Sequence, residues 1–222
     1  MSIQNVCKVF IVDDHAIVRE GLVRLINHES DMEVCGAAED ALSAVNLLFK
    51  IEPDVAIVDL SLGASNGLDI IKSIKARYPS VFVLVLSMHE ELIFAERCIR
   101  AGASGYVMKS EKPIVIIEAI RRILKGKIYL SARMTEYVLN KAMSAKESPD
   151  KDVVETLSDR EFQVFQMIGN GFTSKQIAEN LNLSVKTIDA FRESMKHKLG
   201  LKNAAELSQY AIKWSHFQDM IS

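Results

Sequence analysis

The stretch Lys8-Val9-Phe10-Ile11-Val12-Asp13-Asp14 runs from four consecutive apolar residues straight into two carboxylates. A run that is apolar on both faces reads as a strand covered on both sides, which in practice means a parallel sheet between helices. The same pattern recurs downstream. Val55-Ala56-Ile57-Val58 is a second such strand and ends in Asp59. Val81 to Leu86 is a third, followed by Ser87, and Ser104 to Met108 is a short last strand followed by Lys109. Met32 to Gly36 is a weaker strand near the start. Helical spacing fills the intervals: Val18, Leu22, Leu25 and Ile26; Ala41, Val45 and Leu48 before Pro53; Leu68, Ile71 and Ile74; Ile93, Cys98 and Ile99. Pro113 opens a final helix with Ile114, Ile117, Ile120 and Leu124, where proline suits the first turn. Five strand–helix repeats within residues 1–126 predict an α/β domain with a five-stranded, parallel, doubly wound sheet. Ligands on such sheets bind at the carboxyl ends of the strands, so function is sought directly after each one.

After residue 126 the pattern changes. Tyr129 to Met143 carries Met134, Val138 and Met143 at roughly helical intervals and predicts a linker helix. Ser144 to Glu155 is polar, charged and contains Pro149, which reads as a flexible connection. From Thr156 onward the pattern is helical, with turns at Gly169-Asn170-Gly171, Asn182-Leu183-Ser184 and Gly200-Leu201-Lys202. The expected organisation is therefore a domain at 1–126, a partly helical linker at 127–155 and an all-α four-helix domain at 156–222.

Composition excludes several classes. With 49% hydrophobic and 25% charged residues the chain has enough apolar surface to fold. Lys+Arg 27 against Asp+Glu 29 excludes a strongly basic coat protein but leaves room for a local basic face. Cys7, Cys35 and Cys98 form no C-x-x-C pair and no zinc spacing, so three reduced thiols are expected. No stretch approaches the ~18–20 apolar residues of a membrane span, and the first ten residues do not resemble a signal peptide. A soluble, cytoplasmic protein with no membrane partner is expected.

Asp13, Asp14, Asp59, Ser87 and Lys109 all follow strands and can share one site. Clustered carboxylates repel one another unless a cation offsets them, and hard oxygen ligands suit Mg²⁺. A lysine and a hydroxyl beside them suit an incoming phosphoryl group. Each residue has a plainer reading alone: Asp14 as a helix N-cap, Ser87 as turn chemistry, Lys109 as solvated surface. Their common position at strand ends favours the shared site.

Residues 7–125 resemble a two-component receiver domain, with its flavodoxin-like fold. The matching pieces are Val12-Asp13-Asp14-His15, Val58-Asp59-Leu60, Gly67-Leu68, Leu86-Ser87 and Gly102-Ala103-Ser104-Gly105-Tyr106-Val107-Met108-Lys109. The resemblance implies that Asp59 accepts a phosphoryl group from a sensor histidine kinase. It implies that Asp13, Asp14 and Asp59 hold Mg²⁺, Asp14 and Asp59 foremost, with the backbone carbonyl of Ser61. Ser87 and Lys109 would bind phosphoryl oxygens, and Tyr106 would be the aromatic that reports phosphorylation to the surface around the last strand. Two departures stand out. Gly63 occupies a position where receivers usually have proline, which predicts a looser loop over Ser61 to Asn66. Ser110 follows Lys109 where many receivers have a cis proline, so a trans bond is expected.

Residues 156–214 resemble the LuxR-type helix-turn-helix of NarL/FixJ response regulators. The match runs through Leu157-Ser158-Asp159-Arg160-Glu161, Gly171, Thr173, Lys175-Gln176-Ile177-Ala178, Leu181, Ser184, Lys186-Thr187-Ile188, Arg192, Lys198-Leu199 and Ala205-Glu206-Leu207. Ser158 with Glu161 is a capping-box signature, and Ser184 is a good N-cap for the next helix. That helix would pack through Ile188, Phe191 and Met195 and enter the major groove of double-stranded promoter DNA. Phe191 stands where the family usually has histidine. Lys186, Asp189, Ala190 and Glu193 are the base-facing candidates; Ser184, Thr187, Arg192 and Lys196 are the phosphate candidates. The family dimerises through the last helix, which assigns Leu207, Tyr210, Ala211 and Trp214 to a homodimer formed on activation; the same stripe also fits packing within the domain. RNA polymerase is a further partner this resemblance allows.

Between residues 175 and 202 there are 6 basic and 3 acidic side chains, so each subunit offers only a short basic surface. Weak, salt-sensitive monomer binding and reliance on dimerisation follow. An aspartate-based phosphatase is the enzymatic alternative, but it needs a carboxylate two residues beyond Asp59, where Ser61 stands. A regulator that no longer needs phosphate is the other, and the intact acidic set argues against it.

Overall fold

The computed structural model describes residues 6–62, 65–144 and 153–221. The chain divides into two compact units, Met1–Val138 and Leu139–Ser222. In the first, β1 (Cys7–Val12), α1 (Ala16–Asn27), β2 (Met32–Ala38), α2 (Ala41–Ile51) and β3 (Val55–Val58) follow in order. Two short strands, β4 (Ser61–Leu62) and β5 (Ser65–Asn66), pair antiparallel before α3 (Gly67–Arg77). Then come β6 (Phe82–Ser87), α4 (Glu91–Arg100), β7 (Gly105–Met108) and α5 (Pro113–Ile123).

The main sheet has five parallel strands in the order β2-β1-β3-β6-β7, the flavodoxin-like doubly wound arrangement. Val9, Ile11, Ile57 and Leu84 face one way and bury against Leu22 and Ile26 of α1 and Ile117, Ile120 and Ile123 of α5. By alternation Phe10, Val58 and Val85 face the other way, and all are fully buried. Each such side chain contributes about 1.5–3 kcal/mol by leaving water, so apolar runs at both faces hold the sheet.

Register, more than burial, positions the site. Val12 lies level with Val58 across β1 and β3, and the Asp59 N–H donates to the Val12 carbonyl at 2.9 Å. Val58 lies level with Val85, and Ser87 with Met108. The residues just past each strand therefore arrive together at one edge. Strand order reverses between β1 and β3, where such folds open a crevice. Gly67 lets α3 start close by: a Cβ there would lie 2.5 Å from the Asp59 carbonyl oxygen. Gly63 and Ala64 lie outside the described residues, as does the loop expectation attached to them. The described peptide bonds are all trans, including that before Ser110.

Residues just past α5, read from sequence as linker, belong to the first unit. Tyr129 bridges Gly105 at the edge of β7, and Met134 of α6 (Ala132–Ser144) is fully buried. The rest of the expected flexible connection, residues 145–152, lies outside the described residues.

The second unit holds a short 3-10 turn (Val153–Thr156) and four helices: α7 (Asp159–Gly169), α8 (Ser174–Leu181), α9 (Val185–Leu199) and α10 (Ala204–Ile221). The Ser158–Glu161 capping box forms as expected, and Thr173 with Gln176 makes a second one at α8. Ile177, Ala178, Leu181, Ile188 and Met195 are buried. The α10 assignment needs correction at two of its four residues. Leu207 and Ala211 are 0% and 1% exposed, and Tyr210 and Trp214 stack against Phe165 and Phe162 of α7. Leu207 and Ala211 lie in the core of their own unit, and Tyr210 and Trp214 pack half-buried against α7. A side chain with no accessible surface cannot meet a partner, so Leu207 and Ala211 are not dimer contacts, whereas Tyr210 and Trp214 keep part of their surface.

Candidate functional site

Asp13 and Asp59 end adjacent strands and are both buried, as is Ser87. The Lys109 Nζ lies 2.7 Å from Asp13 Oδ2 and 2.7 Å from Asp59 Oδ2. Asp14 is partly exposed and pairs with His15 Nδ1 at 2.7 Å. Asp14 does not cap α1: His15 is the N-cap residue, without a side-chain cap bond. Ligand atoms of Asp13, Asp14, His15 and Asp59 all lie within 4.8 Å of one another. Two carboxylates thus share one lysine, and a third, Asp14, stands beside them. Burial holds the Asp59 carboxyl above the usual carboxylate range despite Lys109 and the Ser61 N–H. Burial also opposes the Lys109 charge, but its bonds to Asp13 and Asp59 outweigh that and raise its pKa. A cationic ligand would relieve this excess of negative charge, and the oxygen donors suit a hard divalent ion.

Around this cluster, the Ser61 N–H donates to Asp59 Oδ1 at 3.1 Å. The His89 N–H donates to Ser87 Oγ at 3.1 Å. Tyr106 is fully buried, and its hydroxyl donates to the His89 carbonyl at 2.7 Å. The His89 Nε2 meets Ser61 Oγ at 3.0 Å, and its ring stacks on Phe94.

On α9 the four base-facing candidates, Lys186, Asp189, Ala190 and Glu193, are all exposed. The phosphate candidates are more occupied. Ser184 Oγ accepts the Thr187 N–H at 3.0 Å and caps the helix. Arg192 is half-buried and reaches Ser208 at 3.4 Å. Lys196 pairs with Glu193 at 2.8 Å. Glu161 is buried under α9 and accepts from Ser194 Oγ at 2.6 Å, Lys198 Nζ at 2.6 Å and the Ser158 N–H at 2.7 Å. Burial opposes its charge, yet these donors lower its pKa to about 2. Lys198 therefore serves the interior of the unit.

Residues 9–121 match the family described as response regulator receiver domain, and residues 155–211 match bacterial regulatory proteins, luxR family. The oxygen regulatory protein NreC of Staphylococcus aureus is 34% identical over 210 residues, which is 93% of this chain and 97% of that protein. The chain belongs to the LuxR family of two-component response regulators. Its solved relatives include RcsB of Salmonella typhimurium, 29% identical with a TM-score of 0.67 over 94% of this chain and 98% of that one. Another is RcsB of Salmonella enterica bound to promoter rprA in the presence of phosphomimetic BeF3−, 28% identical, TM-score 0.63, covering 93% and 98%. A LuxR-family response regulator from an Aurantimonas species is 33% identical with a TM-score of 0.58, over 62% of this chain and 99% of that one. The regulator is accordingly a DNA-binding transcription regulator of a two-component system, not a classical enzyme. Among the described residues no helix is long and apolar enough to cross a membrane.

Two residues of this receiver domain escape a reading of strand ends alone. His89 stands two positions past Ser87, and only the fold shows that it joins Ser61 to Tyr106. His15 adds an imidazole to the acidic cluster, a role its place in the motif leaves unstated.

Proposed function

We propose that Asp59 is phosphorylated by a sensor histidine kinase, that this promotes dimerisation, and that the dimer binds promoter DNA sequence-specifically through α9. The observation that carries this reading is the pair of 2.7 Å contacts from Lys109 to Asp13 and Asp59 in a buried, carboxylate-rich site. A structural salt bridge needs one carboxylate; a second at the same lysine, with Asp14 close by, is costly unless the site serves a charged ligand.

In the transfer, an Asp59 oxygen forms a bond to phosphorus as the bond from phosphorus to the kinase imidazole breaks, leaving an acyl phosphate. Lys109 and the Ser87 hydroxyl are assigned to the phosphoryl oxygens, and Tyr106 to the switch. Asp13, Asp14 and Asp59, with the Ser61 carbonyl, would hold Mg²⁺, which supplies positive charge against the transferred group. The transfer is stoichiometric, one phosphoryl group per chain. The domain limits proposed are 1–126 and 156–222 with 127–155 between them. Action in the cytoplasm, with RNA polymerase as a further partner at the promoter, fits a regulator that meets both a kinase and DNA.

For DNA, Lys186, Asp189, Ala190 and Glu193 are the proposed base readers, and Ser184, Thr187, Arg192 and Lys196 the proposed phosphate contacts. The RcsB–promoter complex supports this reading by homology. Any dimer contact on α10 falls on Tyr210, Trp214 and the exposed side where Ile212 lies. The test is phosphate labelling. With Mg²⁺ and labelled acetyl phosphate, the wild-type chain takes up label and Asp59→Asn does not. Equal labelling of the two overturns the assignment.

A further inference from the structure

Tyr106 lies on β7, the last strand of the sheet, and the outer side of that strand is taken by the chain itself. The Tyr106 N–H donates to the Tyr129 carbonyl at 2.9 Å, and the Tyr129 N–H donates to the Ser104 carbonyl at 3.0 Å. The approach is close. A Cβ at Gly105 would lie 2.9 Å from the Tyr129 Cβ and 3.1 Å from its carbonyl oxygen. Two residues on, the Ser131 N–H donates to Glu91 Oε1 at 2.9 Å. Glu91 is the buried first residue of α4. Ser131 Oγ in turn accepts the Met134 N–H at 3.0 Å, which opens α6. The Arg122 guanidinium sits 5.8 Å from the Tyr129 ring centre. Residues 129–134 thus run from the β7 edge to the start of α4. They border a cleft of about 350 Å³ lined in part by Glu91, Tyr106, Tyr129 and Ser131.

Both attachments lead back to the acidic site. His89, two residues before Glu91, holds the Tyr106 hydroxyl by its carbonyl, meets Ser61 Oγ by its ring, and donates its N–H to Ser87. A phosphoryl group on Asp59 must fit between Lys109 and Ser87. If Ser87 turns toward it, residues 87–91 follow and carry Glu91 away from Ser131. The Glu91–Ser131 bond has little slack, since a retreat of about 1 Å takes it beyond hydrogen-bonding range.

We propose that residues 129–134 are a strap that the unphosphorylated receiver domain holds and that phosphorylation at Asp59 loosens. The start of α6 is then the element through which the switch leaves the receiver domain. This rests on the phosphoacceptor reading of Asp59 and adds its route out.

The test is hydrogen exchange by NMR on the full chain, with and without Mg²⁺ and beryllofluoride. Loading accelerates exchange of the Ser131 amide about tenfold or more, the effect of losing a hydrogen bond to a charged group, and exchange of the Tyr129 amide in the same direction. Glu91→Ala produces the Ser131 acceleration without beryllofluoride, whereas Glu91→Gln, which keeps an acceptor oxygen, does not. Gly105→Ala frees the Tyr129 amide by steric pressure and serves if Glu91→Ala fails to fold. A bound fluorine signal with unchanged or better-protected strap amides overturns the strap alone. Absence of a bound fluorine signal overturns the phosphoacceptor reading and the coupling with it. Amides that stay protected in both Glu91→Ala and Gly105→Ala overturn the attachment itself.

Discussion

Glu161→Gln tests how the recognition helix is held. Glu161 lies beneath α9 and receives Ser194, Lys198 and the Ser158 N–H within 2.7 Å. Those donors hold its carboxyl at about 2, against 4.5 for an unperturbed glutamate. That difference corresponds to at most about 3 kcal/mol of folding stability. Lys198 is 37% exposed, so solvent screening brings the expectation to about 2 kcal/mol. Because the folded pKa is depressed, the contribution is fully present above pH 4.5 and is lost as the pH falls through about 2. Trp214 is the one tryptophan of the chain and packs on Phe162 and Phe165, so its fluorescence follows the second unit alone. Urea melts followed at Trp214 give Glu161→Gln a deficit of about 2 kcal/mol at pH 7 that shrinks steadily below pH 4.5. A deficit of the same size at pH 3 and pH 7 refutes the charge argument and points to packing damage. No deficit at pH 7 refutes the network itself.

Other perturbations separate the two units. Ile188→Ala empties a fully buried position on the inner face of α9 and costs about 2–5 kcal/mol in the second unit; DNA binding falls while acetyl-phosphate labelling of Asp59 persists. Tyr106→Phe removes the bond to the His89 carbonyl and lowers first-unit stability by about 1 kcal/mol, measured by urea melts under circular dichroism; unchanged stability would mean that hydroxyl does not anchor the ring. Lys198 is held by the buried Glu161, which leaves five of the 6 basic side chains of residues 175–202 for phosphates. The salt dependence of DNA binding is then no steeper than about −4.5 per subunit in log–log slope, and a slope near −8 contradicts that count.

Much of the site was legible because parallel strands carry two signals at once. Val9 to Val12 and Val55 to Val58 announce burial on both faces, and the carboxylates that end them announce a polar edge. Legibility failed where one pattern serves two outcomes. Leu207, Tyr210, Ala211 and Trp214 have the spacing of an apolar helix stripe whether it meets α7 or a second chain. Tyr129 has the look of a helix residue but spends its backbone on β7. The capping box at Ser158 and Glu161 was readable because it is local, whereas Ser194 and Lys198 reach the same carboxylate from more than thirty residues away.

The sequence by itself determined the strands, the helix starts and the order in which Asp13, Asp14, Asp59, Ser87 and Lys109 appear. Those features depend on neighbours within a few residues: apolar runs, caps and periodicity. The tertiary structure decided which of these groups touch. It set Lys109 between Asp13 and Asp59, placed His89 between Ser61 and Tyr106, and turned Leu207 and Ala211 of α10 inward. Such contacts depend on strand register and on which faces meet, and both are settled by packing across the whole unit.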